Sequence, residues 1–321
     1  MENQLRLKDL YLGNIDAKNE LINNSQEEIK RFEESFLIPE NIVLDDFLNL
    51  KRYFIVGLKG TGKTALLRYL ALKANEKEDT YSTFILFKSG FTEEDRKDFA
   101  RVANGIIIDS KDIPDERDFE EIWLWFFHRH IVRTIVSQNL KIFKKDKAWK
   151  KYVACVLAPT VNEKDFGINK YFPKLKRGTV EIGIGFLKAS TKLGLDFEFQ
   201  DISKTKAKFN YIVRKANELF NELSPDNGKL YIMLDELELS LTTTKLYRRD
   251  AEIIRDLIIA MEKLNTISKK NGFNISAIGA VRSEVLTAVT SLGKEINKVT
   301  IQVALTRLHI FPRSEEKLDI K

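Results

Sequence analysis

The chain has 321 residues, 43% hydrophobic and 31% charged, which excludes a disordered polymer and leaves enough apolar material for one substantial core or two smaller ones. Its only cysteine, Cys155, excludes an internal disulfide, and the opening MENQLRLKDLYLG has neither the basic start nor the apolar run of a secretory signal, so a cytoplasmic location is expected. Lys and Arg outnumber Asp and Glu by 53 to 47, a net +6 that permits contact with nucleic acid without demanding it, and no stretch reaches the roughly 20 apolar residues of a membrane span.

Residues 1–50 read as a helical approach segment, with Asn24 or Ser25 as the cap of QEEIKRFEESF. RYFIVG is a short strand. The GKTALLRYLALKANEK that follows spaces Leu66, Leu67, Leu70 and Leu72 as a helix does, and STFILFK (82–88) is the second strand. Residues 91–228 read as a mostly helical insertion. Within it, helices are expected at 92–102 and 117–153, the latter carrying Phe119, Trp123, Trp125, Phe126 and Phe127. GTVEIGIGFLKASTKLGLDFEFQ (178–200) alternates with period two and predicts a β-hairpin whose edges could pair with another subunit. The helix in SKTKAKFNYIVRKANELFNEL returns the chain to the core. KLYIMLDELELS and FNISAIGAVRSEVL are two further buried strands, separated by a helix ending at Gly272. Strands alternating with helices predict a parallel, helix-covered α/β sheet built from 51–90 and 229–300, followed by a tail at 301–321.

Gly57-Leu58-Lys59-Gly60-Thr61-Gly62-Lys63-Thr64 satisfies G-x-x-x-x-G-K-[ST] between a strand and a helix, the context a phosphate-binding P-loop requires. Gly57, Gly60 and Gly62 let the backbone wrap phosphates. Binding is expected along Lys59, Gly60, Thr61, Gly62, Lys63, Thr64 and Ala65, with the Lys63 ammonium at the β- and γ-phosphates of ATP and the Thr64 hydroxyl on Mg²⁺. LYIMLDE supplies Asp235 as the second metal-side group and Glu236 as the base that activates water; Glu238 reads as a solvated or structural charge. Arg282, with Ser283 behind it, is placed to sense the γ-phosphate. Arg248 and Arg249 read as a solvated helix start, with a trans-acting role as the alternative.

LKIFKKDKAWKKYVAC interleaves Lys141, Lys144, Lys145, Lys147, Lys150 and Lys151 with Phe143, Trp149 and Tyr152. It reads as a helix with a solvated basic face and a buried aromatic one, the alternative being a nucleic-acid grip. His128 and His130, two apart on a helix, cannot share a metal, and no metal other than Mg²⁺ is expected.

With these motifs the chain resembles the STAND/AAA+ branch of the additional-strand P-loop ATPases, near the ORC/Cdc6-like initiators. LGNIDAKNELINN, VGLKGTGKTALL, IGAVRSEVL and GKEINK are similar to a bacterial family of P-loop ATPases found near phage-defence genes. The resemblance implies a sheet order of 5-1-4-3-2, Mg-ATP as ligand, and hydrolysis as a switch. It also implies homo-oligomeric assembly on activation, an effector protein from a neighbouring gene as partner, and an adenine contact in YLGNIDA. The helical lid of such ATPases is not recognisable before Lys321. The expected function is an ATPase switch controlling an effector in anti-phage defence; the alternatives are a nucleic-acid-dependent motor or loader and a non-hydrolysing, ATP-ordered scaffold.

Overall fold

The computed structural model describes residues 25–40, 42–90, 92–94, 96–97, 119–161, 171–173, 179–239, 243–292 and 304–305. The proposed adenine contact in YLGNIDA and nearly all of the tail lie outside them, as does most of the helix expected at 92–102. Helix α1 (Gln26–Ser35) begins where a cap was legible: the Ser25 hydroxyl accepts from the Glu28 N–H at 3.2 Å, and Glu27 and Glu28 sit at the positive end of the helix. A short helix α2 (Leu44–Leu48) leads into strand β1 (Phe54–Gly57) and then helix α3 (Lys63–Asn75). Helix α1 lies on α3 through Phe36 stacked on Tyr69 at 4.6 Å and the Lys73–Glu33 ion pair at 2.9 Å.

Strand β2 (Thr80–Leu86) runs into the single turn α4 (Phe87–Gly90). The expected helix of 117–153 is two helices, α5 (Glu120–Ser137) and α6 (Lys147–Leu157). The chain breaks where Asn139 takes a left-handed conformation, φ +50°, and Asp146 restarts the helix by accepting from the Trp149 N–H at 3.0 Å. Aspartate as an N-cap was the signal that the apolar periodicity masked.

The hairpin expected at 178–200 does not form. Strand β3 (Thr179–Glu181) is followed by helix α7 (Ile184–Leu193), and β3 pairs antiparallel with β4 (Lys206–Lys208), Thr179 opposite Lys208. Gly194, at φ +61°, ends α7, and the hydroxyls of Ser190 and Thr191 fold back onto the Leu187 carbonyl at 3.0 and 2.9 Å. Polar side chains that satisfy themselves inside a helix turn removed the reason to read K-A-S-T as a turn. Helix α8 (Phe209–Asn221) starts directly after β4 and leads to strand β5 (Lys229–Leu237), helix α9 (Thr244–Asn271), strand β6 (Ile275–Arg282), helix α10 (Ser283–Thr290) and the two-residue strand β7 (Ala304–Leu305).

The main sheet has the order β2-β5-β6-β1-β7, with every adjacent pair parallel. Numbering only these five strands in chain order gives 5-1-4-3-2, the order that the resemblance implies. The fold is thus α/β around a central parallel sheet. Parallel strands need helices on both faces, and Phe54–Val56, Leu230–Leu234 and Ile275–Val281 are buried along their length.

The insertion shares this core. Helix α5 is buried on nearly all sides, with Trp123, Trp125, Phe126 and Phe127 at 1% exposure or less. The Trp123 indole N–H donates to the Ile253 carbonyl in α9 at 2.9 Å, and that of Trp125 to the Tyr171 carbonyl at 3.1 Å. The aromatic cluster is therefore interior packing, each indole satisfied by a backbone acceptor. No helix among the described residues is long and apolar enough to cross a membrane.

His128 is also interior. One ring nitrogen meets the Tyr152 hydroxyl at 2.8 Å and the other the Asn217 Oδ1 at 2.7 Å, and burial pushes its pKa from 6.5 down to about 4. Unfolded chains take up this proton near pH 6.5 and folded ones only near pH 4, so stability falls as pH drops through that window and is untouched by this group above it. Urea melts are expected to show a loss of about 3 kcal/mol between pH 6.5 and 4 from this histidine, with a shallower decline in His128→Gln.

Candidate functional site

The C-terminal ends of the parallel strands bring the motifs together. Gly57 of β1 is opposite Arg282 of β6, and Leu86 of β2 is opposite Asp235 of β5. This is the edge of an open α/β sheet at which ligands are ordinarily held. Between β1 and α3 the loop turns through Gly60 and Gly62, at φ +80° and +81°, a region that side chains other than glycine enter at a cost. Thr61, almost fully buried, fixes the turn by donating from its hydroxyl to the Leu58 carbonyl at 2.9 Å. Lys59 and Leu58 are exposed, and Ala65 packs beneath the loop against Phe32 and Tyr69.

The Lys63 ammonium lies inside the loop and donates to the carbonyls of Gly57 and Leu58 at 2.9 and 2.6 Å. Only 9% of the residue is exposed, and its pKa is lowered, first by burial and then by the nearby Arg282 guanidinium. Lys63 at the N-terminus of α3 and Arg282 at the end of β6, opposite Gly57, put two cations beside the loop, where negative charge is favoured.

Across from the loop, the Asp235 carboxylate is 5% exposed. Burial raises its pKa, partly offset by the neighbouring Thr64 hydroxyl and by a hydrogen bond from the Glu236 N–H at 2.7 Å. A hydroxyl and a carboxylate side by side near the end of a strand are two oxygens that could serve a divalent cation, the remainder of its shell coming from phosphate and water. Among the described residues no three His, Cys, Asp or Glu side chains converge as a complete metal-ligand set.

Glu236 sits on an irregularity. Leu234 and Leu237 of β5 pair with Gly279 and Val281 of β6, so three steps of β5 span two of β6, and Glu236 takes φ +59°. A left-handed glutamate at a bulge is strained, and bulges of this kind re-aim a side chain at a strand end.

The residue that sequence reasoning undervalued is Glu238. Of the two readings it is the structural charge: one oxygen accepts from the Arg282 guanidinium and the other from the Lys88 ammonium at 2.7 Å, while Glu284 lies 3.7 Å from the same guanidinium. Against the effect of burial, Lys88, Arg282 and Lys59 hold the Glu238 carboxyl below its ordinary range. Its two partners come from other strands, so no local pattern in the sequence marked it. Lys88, immediately after β2, had no motif to mark it.

Arg249 is not a solvated helix start. It is buried, forked onto Glu93 at 2.9 and 3.0 Å and bonded to Asp250 at 2.7 Å, and Asp250 also pairs with Arg96 at 2.5 Å. That fork occupies its donors within the chain. Arg248 is exposed and pairs with Glu252 at 3.1 Å. In the basic stretch, Lys144, Lys145, Lys147 and Lys150 are exposed, while Phe143, Trp149 and Tyr152 are 1%, 6% and 0% exposed, so none of these rings is available to stack on a base. No family model, curated protein or solved structure matches the chain.

Proposed function

We propose that the chain is an Mg-ATP-binding and hydrolysing switch of the STAND/AAA+ type. The observation that supports this reading is the placement of Thr64, the last residue of the glycine loop, beside Asp235 near the end of β5, the pair of oxygens from which a P-loop would hold Mg-ATP. On this reading the loop N–H groups, Lys63 and Arg282 take the phosphates, and Thr64 and Asp235 hold Mg²⁺. Bound there, Mg²⁺ offsets charge on the phosphate oxygens. Glu236 accepts the proton of the attacking water. Homo-oligomeric assembly on activation and an effector protein from a neighbouring gene, in anti-phage defence, follow from the resemblance, and a cytoplasmic setting from the lone cysteine and the N-terminal composition; all belong to the same proposal.

Phosphate release from ATP with and without Mg²⁺ tests the chemistry; release independent of the added cation overturns it. A specific rate that rises with protein concentration supports assembly, and a constant one overturns that part alone. For the nucleic-acid alternative, the buried rings leave only lysine charge. Replacing Lys144, Lys145, Lys150 and Lys151 by glutamine is expected to leave turnover unchanged within about twofold, with DNA present or absent. A DNA-stimulated rate that this change abolishes would replace the switch by a motor.

A further inference from the structure

Glu238 joins the ends of three neighbouring strands. It lies just past β5, takes Lys88 from beyond β2 and Arg282 from the end of β6, and is shielded to about a fifth of full exposure, as Arg282 is to about a quarter. Arg282 is registered opposite Gly57, the first residue of the phosphate loop, and its charge already acts on Lys63. Without an anion, moving this guanidinium toward the loop would bring two poorly hydrated cations together and leave Glu238 without its arginine. A terminal phosphate removes the first penalty and gives Arg282 a new anionic partner that outweighs the second.

We infer that Glu238 is a positioning residue that holds Arg282 back from the loop until a γ-phosphate competes for it. The preference for ATP over ADP is then set by an ion pair within the chain. The inference rests on the reading of the loop as an ATP site. When Arg282 transfers to phosphate, Glu238 is left with Lys88.

Glu238→Gln keeps the shape and a hydrogen-bond acceptor but removes the charge that retains Arg282. Equilibrium titration of the full chain with ATP and with ADP is expected to show ATP affinity rising about three- to fivefold, the scale of a partly exposed ion pair, with ADP unchanged. In an Arg282→Ala background the same change is expected to leave the ATP:ADP ratio where it was, because the two substitutions act through one contact. An equal gain in that background would mean that removing any negative charge near the loop suffices, and would overturn the clamp. So would an unchanged ratio in Glu238→Gln with binding intact. If the unaltered chain binds neither nucleotide, the site reading falls and takes the clamp with it. Binding with no effect of Glu238→Gln leaves the site reading standing and removes the clamp alone.

Discussion

Replacing Lys63 with alanine is expected to weaken ATP binding about a thousandfold while leaving the fold intact. The ammonium is one of two cations confined at the loop, and truncating one side of a desolvated, hydrogen-bonded charge contact costs on the order of 2–5 kcal/mol. Stability should change in the opposite sense or little. The side chain is held against the Gly57 and Leu58 carbonyls with its pKa lowered by burial and by Arg282, so its charge adds little to stability. Isothermal titration with ATP, paired with a thermal melt, separates the two. Full-affinity binding by Lys63→Ala would remove the phosphate-site assignment altogether.

Glu236→Gln is expected to abolish turnover and spare binding. General-base assistance is worth roughly 10²- to 10⁴-fold, so phosphate release should fall by about a thousandfold, with the ATP dissociation constant moving by no more than about threefold. Glutamine fits the same left-handed position at the β5 bulge and leaves the backbone N–H that supports Asp235 in place. Unchanged turnover would assign the base elsewhere; a large loss of binding would mean that Glu236 holds the site together instead of acting on water. A chain that binds ATP through Lys63 yet shows no turnover even unaltered would be the ATP-ordered scaffold.

Much of the site was legible because its chemistry is written in adjacent residues. The glycine loop lies on one turn, Asp235 and Glu236 end one apolar run, and Arg282 ends another; the sheet needs only to be parallel for all three to meet. Glu238 was not legible in the same way. Its meaning depends on Lys88 and Arg282, which belong to other strands, and pairing across a sheet end leaves no local pattern. Arg249 was misread for a related reason: a helix start rich in Arg and Asp looks solvated until Glu93 and Arg96 are packed over it. In the insertion, apolar alternation in GIGFLKAST suited a strand as well as a helix. Gly194, at φ +61°, settles the end of that helix, and tertiary contacts such as Phe186 against Phe197 at 4.6 Å settle its face.

The far pole of the sheet, away from the phosphate loop, bears on how such a chain could have diversified. There Gly228 donates to the Lys141 carbonyl at 2.8 Å, Asp226 to Ile142 at 2.9 Å, and Lys144 to Ser224 at 3.0 Å. A methyl group on Gly228 would meet the Lys141 carbonyl oxygen at 2.8 Å. Phe143, Phe220 and Phe273 close over the seam, with ring centres 5.1–5.8 Å apart. The segment between the second and third sheet strands is therefore not a removable cassette. Deleting or transplanting it would tear open the base of the sheet and strip α9 of its cover. Relatives of this protein should vary the segment by substitution along its exposed faces, with length changes confined to stretches that do not touch this seam.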